Sequence, residues 1–131
     1  MPAAEILRSH TLVRRLSPVE IERFASLATE KMYTAGAFIF RESQPRRVFG
    51  ILVRGQISIR KGLRGNPKVL AVLTEGETYG EGTLLDDYPH STSAIAVEDS
   101  IVIEFEREAV FNLLRESPEM HSKLVIGAAQ I

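Results

Sequence analysis

Residues 73–96 read LTEGETYGEGTLLDDYPHSTSAIA, and this stretch decides how the rest of the chain is read. Gly76, Gly80 and Gly82 fall close together, and the hydroxyl residues Thr83, Ser91, Thr92 and Ser93 surround them. Glycines let backbone N–H groups come close to an anion. A short helix starting at Leu84-Leu85 would aim its positive N-terminus at the same place. Glu81 supplies an acceptor suited to a hydroxyl rather than to the anion itself. Other glycine motifs fit less well. Gly80-Glu81-Gly82 opens a G-x-G-x-x-G, but the sixth position is Leu85, and Pro89 arrives too soon for a long dinucleotide-binding helix. No G-K-[ST] follows, so the stretch is not a phosphate loop of the nucleotide triphosphatases. Taken alone, the glycines read as a turn between strands.

Working outward, strand signals flank this stretch. Phe38-Ile39-Phe40 lies between Gly36 and a polar turn, 48–53 is a continuous apolar run, and 56–60 alternates with period two. The Gly- and Pro-containing segment 62–67 reads as a loop between hairpin arms. Further strands are expected at 69–73, 93–97 and 101–105. Short strands at such spacing predict a mainly β fold. Before them, Ser17-Pro18-Val19-Glu20 is a helix start with a capping box, and Leu16 and Ile21 are placed for a hydrophobic staple. Its apolar face predicts a helix to about residue 30. After the strands, 107–116 carries Val110, Phe111, Leu113 and Leu114 on one face. Ser117-Pro118 then opens a second helix bearing Met120, Leu124, Ala128 and Ile131. That last face is expected either to dock on the β-core or to continue toward a partner.

Composition narrows the function classes. The 131 residues are 44% hydrophobic and 25% charged with a formal net charge of −1, a length and balance that suit one globular domain. The chain lacks the basic excess of a nucleic-acid-binding surface. With no cysteine there is no disulfide scaffold, thiol nucleophile or thiolate metal site. His10, His90 and His121 are scattered, which makes a metal site or a nucleophile–base pair improbable. Asp86-Asp87 reads as a solvated pair, so the chain is not expected to be an enzyme. No apolar run approaches the roughly 18 residues of a membrane span, and no signal peptide begins the chain, so the expected location is the cytoplasm.

The whole pattern, more than any single motif, resembles the cyclic-nucleotide-binding domain of catabolite-activator-type regulators, kinase regulatory subunits and gated channels. The resemblance runs from Leu16-Ser17 through Ala35-Gly36, Glu42, Pro45, 48–53, Arg54-Gly55, Gly76, Tyr79-Gly80-Glu81, Leu84-Leu85 and Pro89 to Leu113-Leu114. It implies a mainly β fold with flanking helices, a double-stranded β-helix or jelly-roll-like β-roll. One domain would cover 1–131, with the roll at about 31–106 and C-terminal helices at about 107–131, cut from a longer chain. It implies no cofactor, with cAMP or cGMP as candidate ligand. A phosphate-binding cassette is implied at 80–92, with ligand-binding residues Gly80, Glu81, Gly82, Leu84, Leu85, His90, Ser91 and Thr92. Gly80 and Glu81 would take the ribose 2′-hydroxyl. Amides around Leu84, Leu85 and Ser91 would take the cyclic phosphate, Ser91 would reach the base, and the segment from Pro118 would close over it.

Two residues depart from that pattern. Where the family has Pro-Arg, this chain has Pro89-His90, which replaces an always-charged fork with a side chain that is largely neutral at pH 7. Losing a charged partner to a buried anion costs roughly 2–5 kcal/mol, or about 30- to several-thousandfold in affinity. To stand in for arginine His90 must be protonated, so affinity is expected to rise as pH falls through roughly 6.5. Taken alone, a histidine after a proline turn is expected at the surface. Gly82 replaces a bulky aliphatic residue of the hinge. Arg41, Arg46, Arg47, Arg54 and Arg60 are candidate replacement cations that the sequence cannot bring to the site, and charged residues are mostly solvated.

The expected function is a regulatory ligand-sensing domain that binds cAMP, cGMP or a related phosphate-bearing small molecule and passes a hinge motion through its C-terminal helices. The alternative is a degenerate domain that binds no nucleotide and serves as a structural or dimerisation module. Expected partners are the small-molecule ligand and either a second copy through the C-terminal helix or an effector domain beyond Ile131, with no membrane and no nucleic acid for this chain alone.

Overall fold

A computed structural model describes residues 2–62 and 65–131, and in it the apolar run at 48–53 becomes a strand with both faces covered. The strands are β1 (Thr29–Tyr33), β2 (Phe38–Phe40), β3 (Val48–Arg54), β4 (Ile57–Lys61), β5 (Lys68–Leu73), β6 (Thr78–Tyr79), β7 (Ser93–Ala96) and β8 (Ser100–Glu106). They form two antiparallel four-stranded sheets, ordered β1-β8-β3-β6 and β2-β7-β4-β5. The first sheet divides two cores. Phe49 and Ile51 of β3 and Ile103 and Phe105 of β8 face the helices. Leu52, Tyr79 and Val102 face Ile39, Phe40, Ile57 and Ala94 of the second sheet. Successive side chains point to opposite faces, so a strand covered on both sides is apolar at nearly every position. The architecture is a mainly β roll with flanking helices.

The helices are α1 (Ala3–Leu7), α2 (Pro18–Ala25), α3 (Arg107–Glu116) and α4 (Pro118–Ala129), with 3-10 turns at Thr11–Val13 and Glu81–Leu84. At the start of α2 the Ser17 hydroxyl accepts from the Glu20 N–H at 3.2 Å, and Glu20 accepts from the Ser17 N–H at 2.9 Å. Leu16 and Ile21 are both buried beside this cap. Phe24 stacks on Phe105 with centroids 4.3 Å apart and fastens α2 to the first sheet.

The helix ends sooner than its apolar face predicts. Ser26 caps it, its N–H bonding the Glu22 carbonyl at 3.0 Å and its hydroxyl the Arg23 carbonyl at 2.6 Å. Leu27 and Ala28 still pack on the core, and the chain turns at once into β1. Sequence reading missed β1 and β6. The first is an edge strand with four exposed residues, which needs no apolar alternation, and the second is two residues long. The loop expected at 62–67 falls partly on 63–64, outside the described residues, while the flanking pair Lys61–Lys68 does close a β4–β5 hairpin.

The C-terminal helices follow the first of the two alternatives the sequence left open. Met120, Leu124 and Ala128 of α4 are buried in the same core as α2 and Phe105, so this face docks within the chain. Only Ile131 of that set is exposed. Gly127 lies against the backbone of Leu12, where any side chain would strike the Leu12 carbonyl.

Candidate ligand-binding site

After Tyr79 the chain must leave the first sheet in a tight turn. Gly80 makes that turn at φ +69°, and a Cβ there would stand 2.9 Å from the Val48 carbonyl oxygen. The 3-10 turn Glu81–Leu84 follows, pinned by the Thr83 hydroxyl donating to the Val48 carbonyl at 3.2 Å. Its two sides face different neighbours. Leu84 is buried in the helical core, whereas Glu81 and Gly82 line a cavity of about 390 Å³.

Six of the eight residues expected from the sequence stand on that cavity's wall: Gly80, Glu81, Gly82, His90, Ser91 and Thr92. Leu84 and Leu85 do not. The Leu84 side chain packs inward, and the Leu85 N–H donates to the Gly82 carbonyl at 2.9 Å, which closes the turn. The amide assigned from the resemblance to an anion is therefore engaged at Leu85. Sequence reading did not anticipate the opposite wall, made by Ile59, Ala71 and Leu73 of β4 and β5 with Phe40. Its signal was the period-two spacing of Ala71 and Leu73, which shows a shared face but not what the face meets. Thr78 completes the rim, its hydroxyl 3.5 Å from a Glu81 carboxylate oxygen.

His90 is not at the surface. It is 4% exposed, with its ring stacked on Phe40 at 3.8 Å and nearly parallel at 9°. Its N–H donates to the Gln44 carbonyl at 3.0 Å and its carbonyl accepts from Ser43 at 2.8 Å, so the β2–β3 connection is tied to the end of the cassette. Burial, and after it the charge of Arg46, holds the imidazole pKa down to about 4. Those two causes leave the imidazole neutral near pH 7, which weighs against His90 taking the part of the family arginine.

Of the five candidate arginines, Arg46 reaches the cavity. It is mostly buried, its side chain 15% exposed, and its Nε donates to the Tyr88 carbonyl at 2.8 Å and lies 3.6 Å from Asp86. Asp86 also accepts from the Tyr88 N–H at 2.9 Å, which fixes the turn that holds the guanidinium. Arg41 lies over the Phe38 ring, Arg60 bonds the Ser58 hydroxyl, and Arg47 and Arg54 are exposed. The site thus offers a carboxylate acceptor, a cation and an apolar wall around one opening.

The roll and its Gly80-Glu81 turn define a β-roll with a glycine–glutamate cassette. The model of the cyclic nucleotide-binding domain matches residues 30–117, and the chain belongs to that family. It is 31% identical over 113 residues to the cyclic AMP receptor protein of Thermus thermophilus, covering 86% of this chain and 52% of that protein. It is 28% identical over 97 residues to human cGMP-dependent protein kinase 2, covering 72% of this chain and 13% of the kinase. The N-terminal domain of a transcriptional regulator from Streptomyces coelicolor superposes with a TM-score of 0.81 at 21% identity, over 95% of this chain and 90% of that one. The chain therefore spans about half, or less, of the length of these two curated relatives. No helix among the described residues is long and apolar enough to cross a membrane.

Proposed function

We propose that this chain is a ligand-sensing domain that takes a cyclic nucleotide, cAMP or cGMP, in the cavity beside Gly80-Glu81 and relays its presence to α3 and α4. The observation that carries the reading is the pairing of Glu81 and Arg46 on one cavity of about 390 Å³, a volume within the usual range for small-molecule sites. A carboxylate suits a ribose hydroxyl, a guanidinium suits a cyclic phosphate, and the Ile59–Ala71–Leu73 wall suits a base. Membership of the family, and relatives named for cAMP and cGMP, support the same ligand class.

The relay runs through the cassette turn. Arg107, the first residue of α3, donates from Nε to the Thr83 carbonyl at 3.3 Å and pairs with Asp87, while Leu84 packs with Met120 and Leu124. A ligand that draws Glu81 and Gly82 inward moves Thr83 and Leu84 with them, and so shifts the equilibrium of the helices. The alternative, a nucleotide-free structural or dimerisation module, is favoured by the missing arginine at position 90, but the burial of Met120, Leu124 and Ala128 within the chain leaves only Ile131 of its proposed dimer face exposed.

Isothermal titration of cAMP and cGMP into the chain at neutral pH tests the reading. Micromolar binding is expected. Glu81→Gln should weaken it by about 10- to 100-fold, the worth of a charged hydrogen bond, and should erase any preference for the ribonucleotide over its 2′-deoxy analogue. No heat at millimolar nucleotide would overturn the proposal.

A further inference from the structure

Resting on that reading of the cavity, we infer that Arg46, from the connection before β3, is the phosphate-binding cation of this cassette, in a seat that Gly82 vacates for it. The two departures from the family pattern then have one cause. A Cβ at Gly82 would stand 2.5 Å from Arg46 Nη1 and 2.9 Å from Cζ, so the bulky aliphatic residue usual at this position would occupy the space the guanidinium now fills. With a cation already there, an arginine after Pro89 would set a second positive charge against the first. A flat aromatic ring lying on Phe40 fits beside it instead.

The guanidinium is oriented for this work. Nε is spent on the Tyr88 carbonyl, while neither Nη donates a hydrogen bond among the described residues. Arg46 shares the cavity wall with Gly80, Glu81, Ser91 and Thr92, and its terminal nitrogens lie beside Gly82, the residue that follows Glu81. Planar, always charged and mostly buried, it can bind a phosphate through two parallel bonds. Asp86, at 3.6 Å from Nε, offsets part of the charge, so the gain is smaller than for an unpaired arginine.

The test compares cAMP with adenosine, which lacks the phosphate, by calorimetry on the intact chain and on Arg46→Gln, Gly82→Val and the double variant. Thermal unfolding checks that each variant is folded. The chain should bind cAMP more tightly than adenosine. Arg46→Gln should lose about 10- to 100-fold in cAMP affinity and less than about threefold for adenosine. Gly82→Val should show the same selective loss by displacing the guanidinium, and the double variant should lose little more than either single change. Affinity for cAMP should be flat from pH 5.5 to 8, because arginine stays charged throughout. Retained cAMP affinity in Arg46→Gln overturns the assignment. So does tighter binding in that variant, which would make Arg46 a plug, or affinity that climbs on acidification through pH 6.5, which would return the role to His90. If the wild-type chain binds neither cAMP nor adenosine, the nucleotide reading itself fails and takes this inference with it.

Discussion

His90 illustrates how one neutral side chain fixes a local environment. Protonating it in place would bury a charge against Phe40 and beside Arg46, so the folded chain takes up that proton only near pH 4. The unfolded chain takes it up near pH 6.5. Between those values the unfolded state binds more protons, and stability must fall as pH drops through the window, by about 2–4 kcal/mol for this residue. Urea unfolding at pH 7.5 and 4.5 measures the effect. The wild type should lose more stability on acidification than His90→Gln, and parallel losses would mean the imidazole is not held neutral. Sequence reading saw that an arginine was missing at position 90 but could not see what replaced it. Arg46 was one of five nearby arginines with nothing local to distinguish it. Its placement depends on contacts between the β2–β3 connection and the cassette, bonds between residues more than forty apart in sequence that the sheets bring to one end of the roll. The usable clue was Gly82, since an absent side chain leaves room for a neighbour.

At the scale of elements, end signals were legible and edges were not. Ser17 and Glu20 marked the start of α2 because a capping box is a contact within four residues. The start of β1 escaped because an edge strand with four exposed residues carries little apolar pattern. For α4, the periodicity of Met120, Leu124 and Ala128 showed an apolar face without showing its partner, which is the chain's own helical core. Gly127 makes this packing testable, because two effects act there with opposite signs. Replacing glycine by alanine inside a helix gains up to about 1 kcal/mol in propensity. Here the new methyl would drive into the Leu12 carbonyl, and backbone has little freedom to retreat. Overpacking costs about 1–3 kcal/mol in ordinary cores, more when the obstacle is main chain. Gly127→Ala should therefore destabilise the chain by at least about 1 kcal/mol net in urea unfolding. A stabilised variant would show that α4 is not seated against the first 3-10 turn.

For the molecule as a whole, the sheet β1-β8-β3-β6 is a shared wall. Phe49 and Leu52, three residues apart on β3, belong to different cores, so neither core can dissolve without stripping the other of one face. The cavity opens on the side of the second sheet, whereas Leu84 carries the cassette turn into the helical side. A ligand that binds only the folded cavity should thus stabilise both cores together. At a hundredfold excess over its dissociation constant it contributes about 2.7 kcal/mol, which for a chain of this size raises the melting temperature by roughly 10 °C. The chain has no tryptophan, so fluorescence reports its tyrosines, and Tyr33, Tyr79 and Tyr88 all lie on the strands or the cassette. Far-ultraviolet circular dichroism near 222 nm, dominated by helical signal, follows α2, α3 and α4. With saturating cAMP both signals should shift by the same amount and keep a single transition. A shift in the tyrosine signal alone would mean that the roll senses ligand while the helices unfold independently, and the route from Thr83 and Leu84 to α3 and α4 would have to be abandoned.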